Sequence, residues 1–220
     1  MANLKILCYN EDKVNNVNLD DFKDYDVVVF GFSGLNKISY KHELNGSESS
    51  LQNFASLSKK SKKIIISGAI TDNYGVIRKS AVIAENGKLL GISDMNLNVN
   101  SSGYSQGGGY RVYQTQKARI GILVGDDIID YDGVKSMALC DADCIIAVVG
   151  CEEKPQYNML VRAYSYLFGV PILLVFNEGA IASEISGEIC GGSREKISEI
   201  ILPTKKSYRL IQSKRRGIKE

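Results

Sequence analysis

The chain has 220 residues, 44% hydrophobic and 24% charged, proportions that exclude a disordered or collagen-like protein and suit one domain over residues 1–220. Lys and Arg number 27 against 25 Asp and Glu, a formal charge of +2, too small a field to capture nucleic acid or an anionic membrane by itself. A chain of this length buries roughly 70–75% of its unfolded surface, so a core forms without disulfides or metals.

In chain order, the opening MANLKILCYN has neither the apolar core nor the cleavage site of a signal peptide. No apolar run reaches the roughly 18–20 residues of a membrane span, so a soluble, cytoplasmic protein is expected. Short Val/Ile-rich runs at residues 5–9, 27–32, 63–68, 120–124, 144–149 and 171–176, bounded by Gly, Asp or Asn, read as strands buried on both faces. Helical period occupies residues 49–58, 133–139 and 158–168, giving a recurring strand, helix, strand unit. Residues 76–93 read as a hairpin around Asn86-Gly87, the strongest short-range hairpin signal because both turn residues tolerate positive φ. A second ribbon, residues 180–190, turns at Ser186-Gly187. Mixed strand directions with helices outside predict two packed sheets, an α/β architecture of the α-β-β-α sandwich kind.

Two further stretches have plain readings. Residues 96–109 are polar and glycine-rich but lead into a strand rather than a helix, which fits a flexible surface connection better than a phosphate cradle. The basic tail, about 204–220, is poor in aromatics and reads as a solvated or subunit-clasping arm rather than a nucleic-acid or membrane contact. The five cysteines, Cys8, Cys140, Cys144, Cys151 and Cys190, include no C-x-x-C pair and are expected to be reduced thiols. His42 is the single histidine, so neither a Cys/His zinc site nor a Ser-His-Asp triad has ligands to draw on; no metal and no cofactor are expected.

The order of motifs resembles the nitrilase, or carbon-nitrogen hydrolase, superfamily. Ser80 to Gly91, SAVIAENGKLLG, is similar to that family's hairpin N-S-A-x-V-I-D-P-D-G-K-x-x-G. YRVYQTQKARIGILV is similar to the segment F-x-V-F-x-T-x-x-G-K-I-G-V-x-I, CDADCIIAVVG to the G-A-D-I-I strand entry, and LVRAYSYLFGVPILLVFNEG to the R-A-R-A-x-E-N helix and following strand. The gap between the first two strands leaves little or no room for the family's first helix. What the resemblance implies is a four-layer α-β-β-α sandwich paired as a homodimer. It further implies amide or nitrile hydrolysis by a cysteine nucleophile, a glutamate base and a lysine that holds the oxyanion.

Carried over residue by residue, Phe32 stands at the glutamate position, Met95 at the lysine position and Gly125 at the cysteine position. Asp127 keeps the aspartate of the nucleophile motif, while Leu167-Phe168 replace the E-N of the helix motif. Each substitution abolishes its role: Phe accepts no proton, Met carries no charge and Gly has no side chain. The expectation is a superfamily scaffold without hydrolase chemistry, which binds a small ligand around Phe32, Met95, Gly125, Asp126 and Cys151 or acts through assembly. The alternative is an active hydrolase with Cys151 as a relocated nucleophile and Glu152 or Glu153 as base, although adjacent carboxylates raise a thiol's pKa. Lys79 and Lys88 could approach the site but read as ordinary exposed hairpin lysines. Asp126, Asp127, Asp130 and Asp132 read as helix caps and first-turn acids rather than cation ligands.

Overall fold

Alternation along the Val/Ile runs sends successive side chains to opposite faces, and both faces are apolar, so each strand must be covered twice. The computed structural model, which describes residues 3–99, 103–150 and 155–204, meets this demand with two stacked mixed sheets. The first contains β1 (Asn3–Tyr9), β2 (Val27–Phe30), β3 (Lys37–Ser39), β4 (Ile64–Asn73), β5 (Val76–Glu85), β6 (Lys88–Asp94) and β13 (Ile197–Pro203). Its order is β13-β1-β2-β4-β5-β6, with β3 also on β4. The second contains β7 (Arg111–Gln114), β8 (Arg119–Val124), β9 (Cys144–Val148), β10 (Ile172–Phe176), β11 (Gly179–Ser183) and β12 (Ile189–Ser193), in the order β12-β11-β10-β9-β8-β7. Pairs β1–β2, β2–β4, β8–β9 and β9–β10 are parallel, and the hairpin pairs are antiparallel.

The inward residues Ile6, Val29, Ile66, Ile122, Ile146 and Val175 belong to one cluster between the sheets. Outward residues of the second sheet pack under α3 (Tyr131–Leu139) and α4 (Pro155–Phe168). Those of the first sheet pack under α2 (Ser50–Ser61) and the 3-10 turns Val14–Asn16 and Leu19–Phe22. The layers are therefore α-β-β-α, as expected. A short α1 (Tyr40–Asn45) places Glu43, whose carboxylate accepts from the amides of Ser50 and Leu51 and caps α2. Among the described residues no helix is long and apolar enough to cross a membrane.

Several expectations are refined. Asn86 and Gly87 have φ of 51° and 81°, the left-handed pair that a two-residue turn requires. β4 runs five residues beyond the expected end at Gly68, because β5 continues to pair with it as far as Asn73↔Val76. β2 stops at Phe30, which leaves Phe32 in a turn. Between β1 and β2 the described chain forms only the two 3-10 turns, so no α-helix occupies that stretch. The segment expected to be a flexible connection is tied down instead: Ser105 donates to the Ile77 carbonyl at 2.7 Å and Gly107 to that of Met95 at 2.8 Å. The tail beyond Thr204 lies outside the described residues.

Candidate functional site

Parallel strands put their carboxyl ends at one edge of a sheet, where crevices form and loops carry chemistry. Phe32, Gly125 and Gly150 follow the ends of β2, β8 and β9, and Met95 follows β6. Phe32 packs against the same inter-sheet cluster that contains Met95 and Val124. A Cβ on Gly68 would meet Phe32 Cα at 2.8 Å, and one on Gly150 would meet Phe32 Cδ2 at 2.8 Å. The phenyl ring thus bridges the two sheets over a pair of glycines that leave room for it.

Met95 and Gly125 form the second contact. Met95 is fully buried, and its amide donates to the Lys79 carbonyl at 2.9 Å, making it a cross-strand neighbour of β5. Gly125 opens a 3-10 turn, Gly125–Ile129, at φ +59°, and a Cβ built on it would lie 2.6 Å from Met95 Sδ. The thioether sulfur occupies the place where a side chain at position 125 would start. A left-handed backbone of this kind favours glycine by about 1 kcal/mol, so strain and packing act in the same direction.

Asp127 explains why this contact is held. Its Oδ1 accepts from the amides of Asn96 at 2.8 Å and Leu97 at 2.7 Å, and Oδ2 accepts from Val124 at 3.3 Å. Burial pushes its carboxyl up to about 6, against the downward pull of those amides, and the Asp130 charge adds to the rise. Asp130, by contrast, is the cap expected from sequence: its Oδ1 accepts from the Asp132 amide at 3.0 Å at the start of α3. Asp126 is buried and takes part in an interaction of its own. The acidic run therefore divides into a helix cap and a buried clamp on the Met95 segment, a distinction its spacing does not carry.

Lys79 enters the site although it reads from sequence as a surface residue. It shares the inner face of β5 with Ala81 and Ile83, and its Cδ lies 3.7 Å from the Cβ position on Gly125. Its Nζ stands 5.2 Å from the centroid of the Tyr104 ring. Lys88 begins β6 at the opposite end of the hairpin and is exposed. The signal for Lys79 was its parity with Ala81 and Ile83.

The remaining candidates are soon placed. Cys151 and Glu152, with Glu153, lie outside the described residues. Cys8 and Cys144 are buried between the sheets, and burial pushes the Cys8 thiol up to about 12, where it is no nucleophile at neutral pH. His42 is exposed and lies 3.0 Å from Glu48 in α1's surroundings. Among the described residues no group of three or more His, Cys, Asp or Glu side chains could hold a metal ion. An open groove of about 780 Å³ lies elsewhere, between α4 and the β11–β12 turn, lined among others by Asn158, Arg162, Tyr166 and Arg194.

Neither a family model nor a curated protein matches the chain. Solved structures do. An amidase of the nitrilase superfamily from Nesterenkonia AN1 superposes with a TM-score of 0.75 at 11% identity, covering 98% of this chain and 95% of that one. A carbon-nitrogen hydrolase from Helicobacter pylori G27 gives 0.72 at 14% identity, covering 90% and 88%. Glutamine-dependent NAD+ synthetase from Acinetobacter baumannii gives 0.71 at 16% identity; 94% of this chain covers 48% of that longer one. The chain therefore has the nitrilase-like fold.

Proposed function

We propose that this chain is a carbon-nitrogen hydrolase superfamily homologue that has exchanged its acyl-transfer chemistry for packing and serves as a non-catalytic ligand-binding or assembly protein. The observation that carries this reading is Met95 Sδ standing 2.6 Å from the Cβ position on Gly125. A nucleophile at position 125 would have to displace the thioether from the space it fills. With Phe32 where the resemblance puts a base and Met95 where it puts a cation, attack, proton removal and oxyanion stabilisation all lack their groups. Loss of a nucleophile alone costs on the order of 10⁶ in turnover.

A solved structural neighbour supplies the contrast that supports this reading. In a mutant of the Nesterenkonia amidase the acetamide moiety of fluoroacetamide adds covalently at the active site cysteine; in this chain the resemblance puts Gly125 at the cysteine position. The purified chain, offered a panel of aliphatic and aromatic amides and nitriles, is expected to show no turnover above buffer, and Cys151→Ala no change. Turnover that Cys151→Ala abolishes would establish the alternative, a hydrolase with a relocated cysteine nucleophile and Glu152 as its neighbour.

The same reading includes a homodimer in a reducing, cytoplasmic setting, without nucleic acid or membrane partners. Its support is the family resemblance together with unbridged thiols such as Cys8, buried in the core, and Cys140, exposed on the surface. Light scattering on the isolated chain is expected to return twice its mass. A monomeric mass, or a second protein that co-purifies in fixed ratio, would turn the assembly reading to a different partner.

A further inference from the structure

We infer that the cavity between the 3-10 turn Val14–Asn16 and the first turn of α2 takes up a small zwitterionic amino acid, its ammonium on Glu48 and its carboxylate on Lys13. The cavity measures about 320 Å³, at the small end of the range of ligand sites. It shares no residue with the Phe32, Met95 and Gly125 contact, so it does not depend on the loss of acyl transfer. Backbone fixes its walls: the Val14 amide donates to the Gly34 carbonyl at 3.1 Å, and the Glu43 carboxylate accepts from the amides of Ser50 and Leu51 at the start of α2.

Glu48 is the lining residue whose bonding is incomplete. An acid just ahead of a helix ordinarily serves its first turn, but Glu43 already does so for α2. Glu48 Oε1 lies 3.0 Å from His42 Nδ1, while Oε2 is buried without a hydrogen-bond partner. A buried acceptor left without a donor works against stability, so the fold holds this oxygen at a cost that a donor in the cavity would remove. The side chain is 38% exposed and its terminal torsion is soft, so either oxygen can turn to that donor.

The cations that line the same cavity do not complete it. Lys37 pairs with Asp72 at 2.8 Å, and Lys13 is exposed and makes no ion pair among the described residues. An unpaired cation and a carboxylate with an unspent oxygen therefore border one space. A molecule carrying both charges bridges them: an ammonium brings three donors to Glu48, and a carboxylate on Lys13 makes a hydrogen bond roughly twice as strong as a neutral one. A ligand with a single charge leaves one end unmatched, whereas a zwitterion brings in no net charge to be desolvated. Asn15, Ser50 and Asn53 also line the cavity and offer both donors and acceptors, which suits a polar side chain over an apolar one.

The test is calorimetric titration of the full chain with L-threonine and with two analogues that each lack one charge, 3-hydroxybutyrate and 1-amino-2-propanol. Threonine is expected to bind at least ten times more tightly than either analogue, and both Glu48→Gln and Lys13→Met to weaken it at least tenfold. Absence of threonine binding, equal binding of either analogue, or threonine affinity unchanged in Glu48→Gln would overturn the inference. Should Glu48→Gln fail to fold, Lys13→Met, at an exposed position, decides by the same criterion. Failure of threonine to bind leaves the loss of acyl transfer as it stands, and amide turnover by the chain leaves this cavity's assignment as it stands.

Discussion

Gly31→Ala is expected to destabilise the protein by about 3 kcal/mol or more, read as a shift in the urea midpoint. A Cβ at this position would stand 2.3 Å from the Asn10 carbonyl oxygen and 3.2 Å from its carbon, both backbone atoms of the segment that leaves β1. Backbone cannot rotate aside as a side chain would, so β1 and β2 must part at the cleft end. That movement strains the Gly31 amide's bond to the Tyr9 carbonyl, 2.9 Å, and the Asn10 amide's bond to Lys196, 2.9 Å. It also disturbs Asn10 Nδ2, which donates to the Glu195 carbonyl at 2.6 Å and ties the β12–β13 turn to β1. Each lost hydrogen bond costs about 1 kcal/mol, and overpacking adds about 1–3 kcal/mol. The control is Gly108→Ala: nothing stands within 4 Å of its Cβ, so a change within about 0.5 kcal/mol is expected. Equal midpoints for the two variants would refute the close-approach explanation.

The second large effect belongs to Asp127. Asp127→Ala leaves the amides of Asn96, Leu97 and Val124 without their acceptor and is expected to cost about 2–4 kcal/mol at pH 7. Because two of those amides adjoin Met95, the same change loosens the sulfur's seat on Gly125. Asp127→Asn keeps an acceptor oxygen, sheds the buried charge, and is expected to cost far less.

The two variants also separate in pH. Burial raises the Asp127 carboxyl from 3.8 to about 6 in the folded chain, so between those values the folded state binds more protons than the unfolded one. Stability therefore falls as pH rises through that window, by an amount on the order of 3 kcal/mol. Below pH 4 the group is protonated in both states and contributes no slope. Melting temperatures recorded from pH 4 to 7 are expected to lose this component in Asp127→Asn. An Asp127→Asn profile as steep as that of the unaltered chain would show that other groups carry it.

Legibility varied with how local each signal was. The Asn86-Gly87 turn, the doubly buried runs of β8, β9 and β10, and the cap at Asp130 each depend on neighbours within a few residues, and those neighbours are in the string. Helix bounds were less legible: α4 already includes Pro155, ahead of the expected residue 158, since a proline adds nothing to an apolar stripe. β13 went unread even though ISEIILP alternates, with Ser198, Ile200 and Leu202 buried and their neighbours less so. Its partner is β1, Asn3↔Pro203 through Tyr9↔Ile197, nearly the whole chain away.

The site divides along the same line. From sequence alone came the residue types at the three positions that the resemblance aligns with base, cation and nucleophile, and residue type limits chemistry: Phe32 offers no base, Met95 no charge and Gly125 no side chain. Tertiary structure alone decided that Met95 Sδ fills the space at Gly125, that Phe32 seats on Gly68 and Gly150, and that Lys79 lays its stem against Gly125. Those contacts join β2 to β4 and β9, and β5 and β6 to β8, across two sheets whose stacking is set by the burial of the entire inter-sheet layer. Local periodicity tells a strand which face to bury but not which distant residue it will meet there.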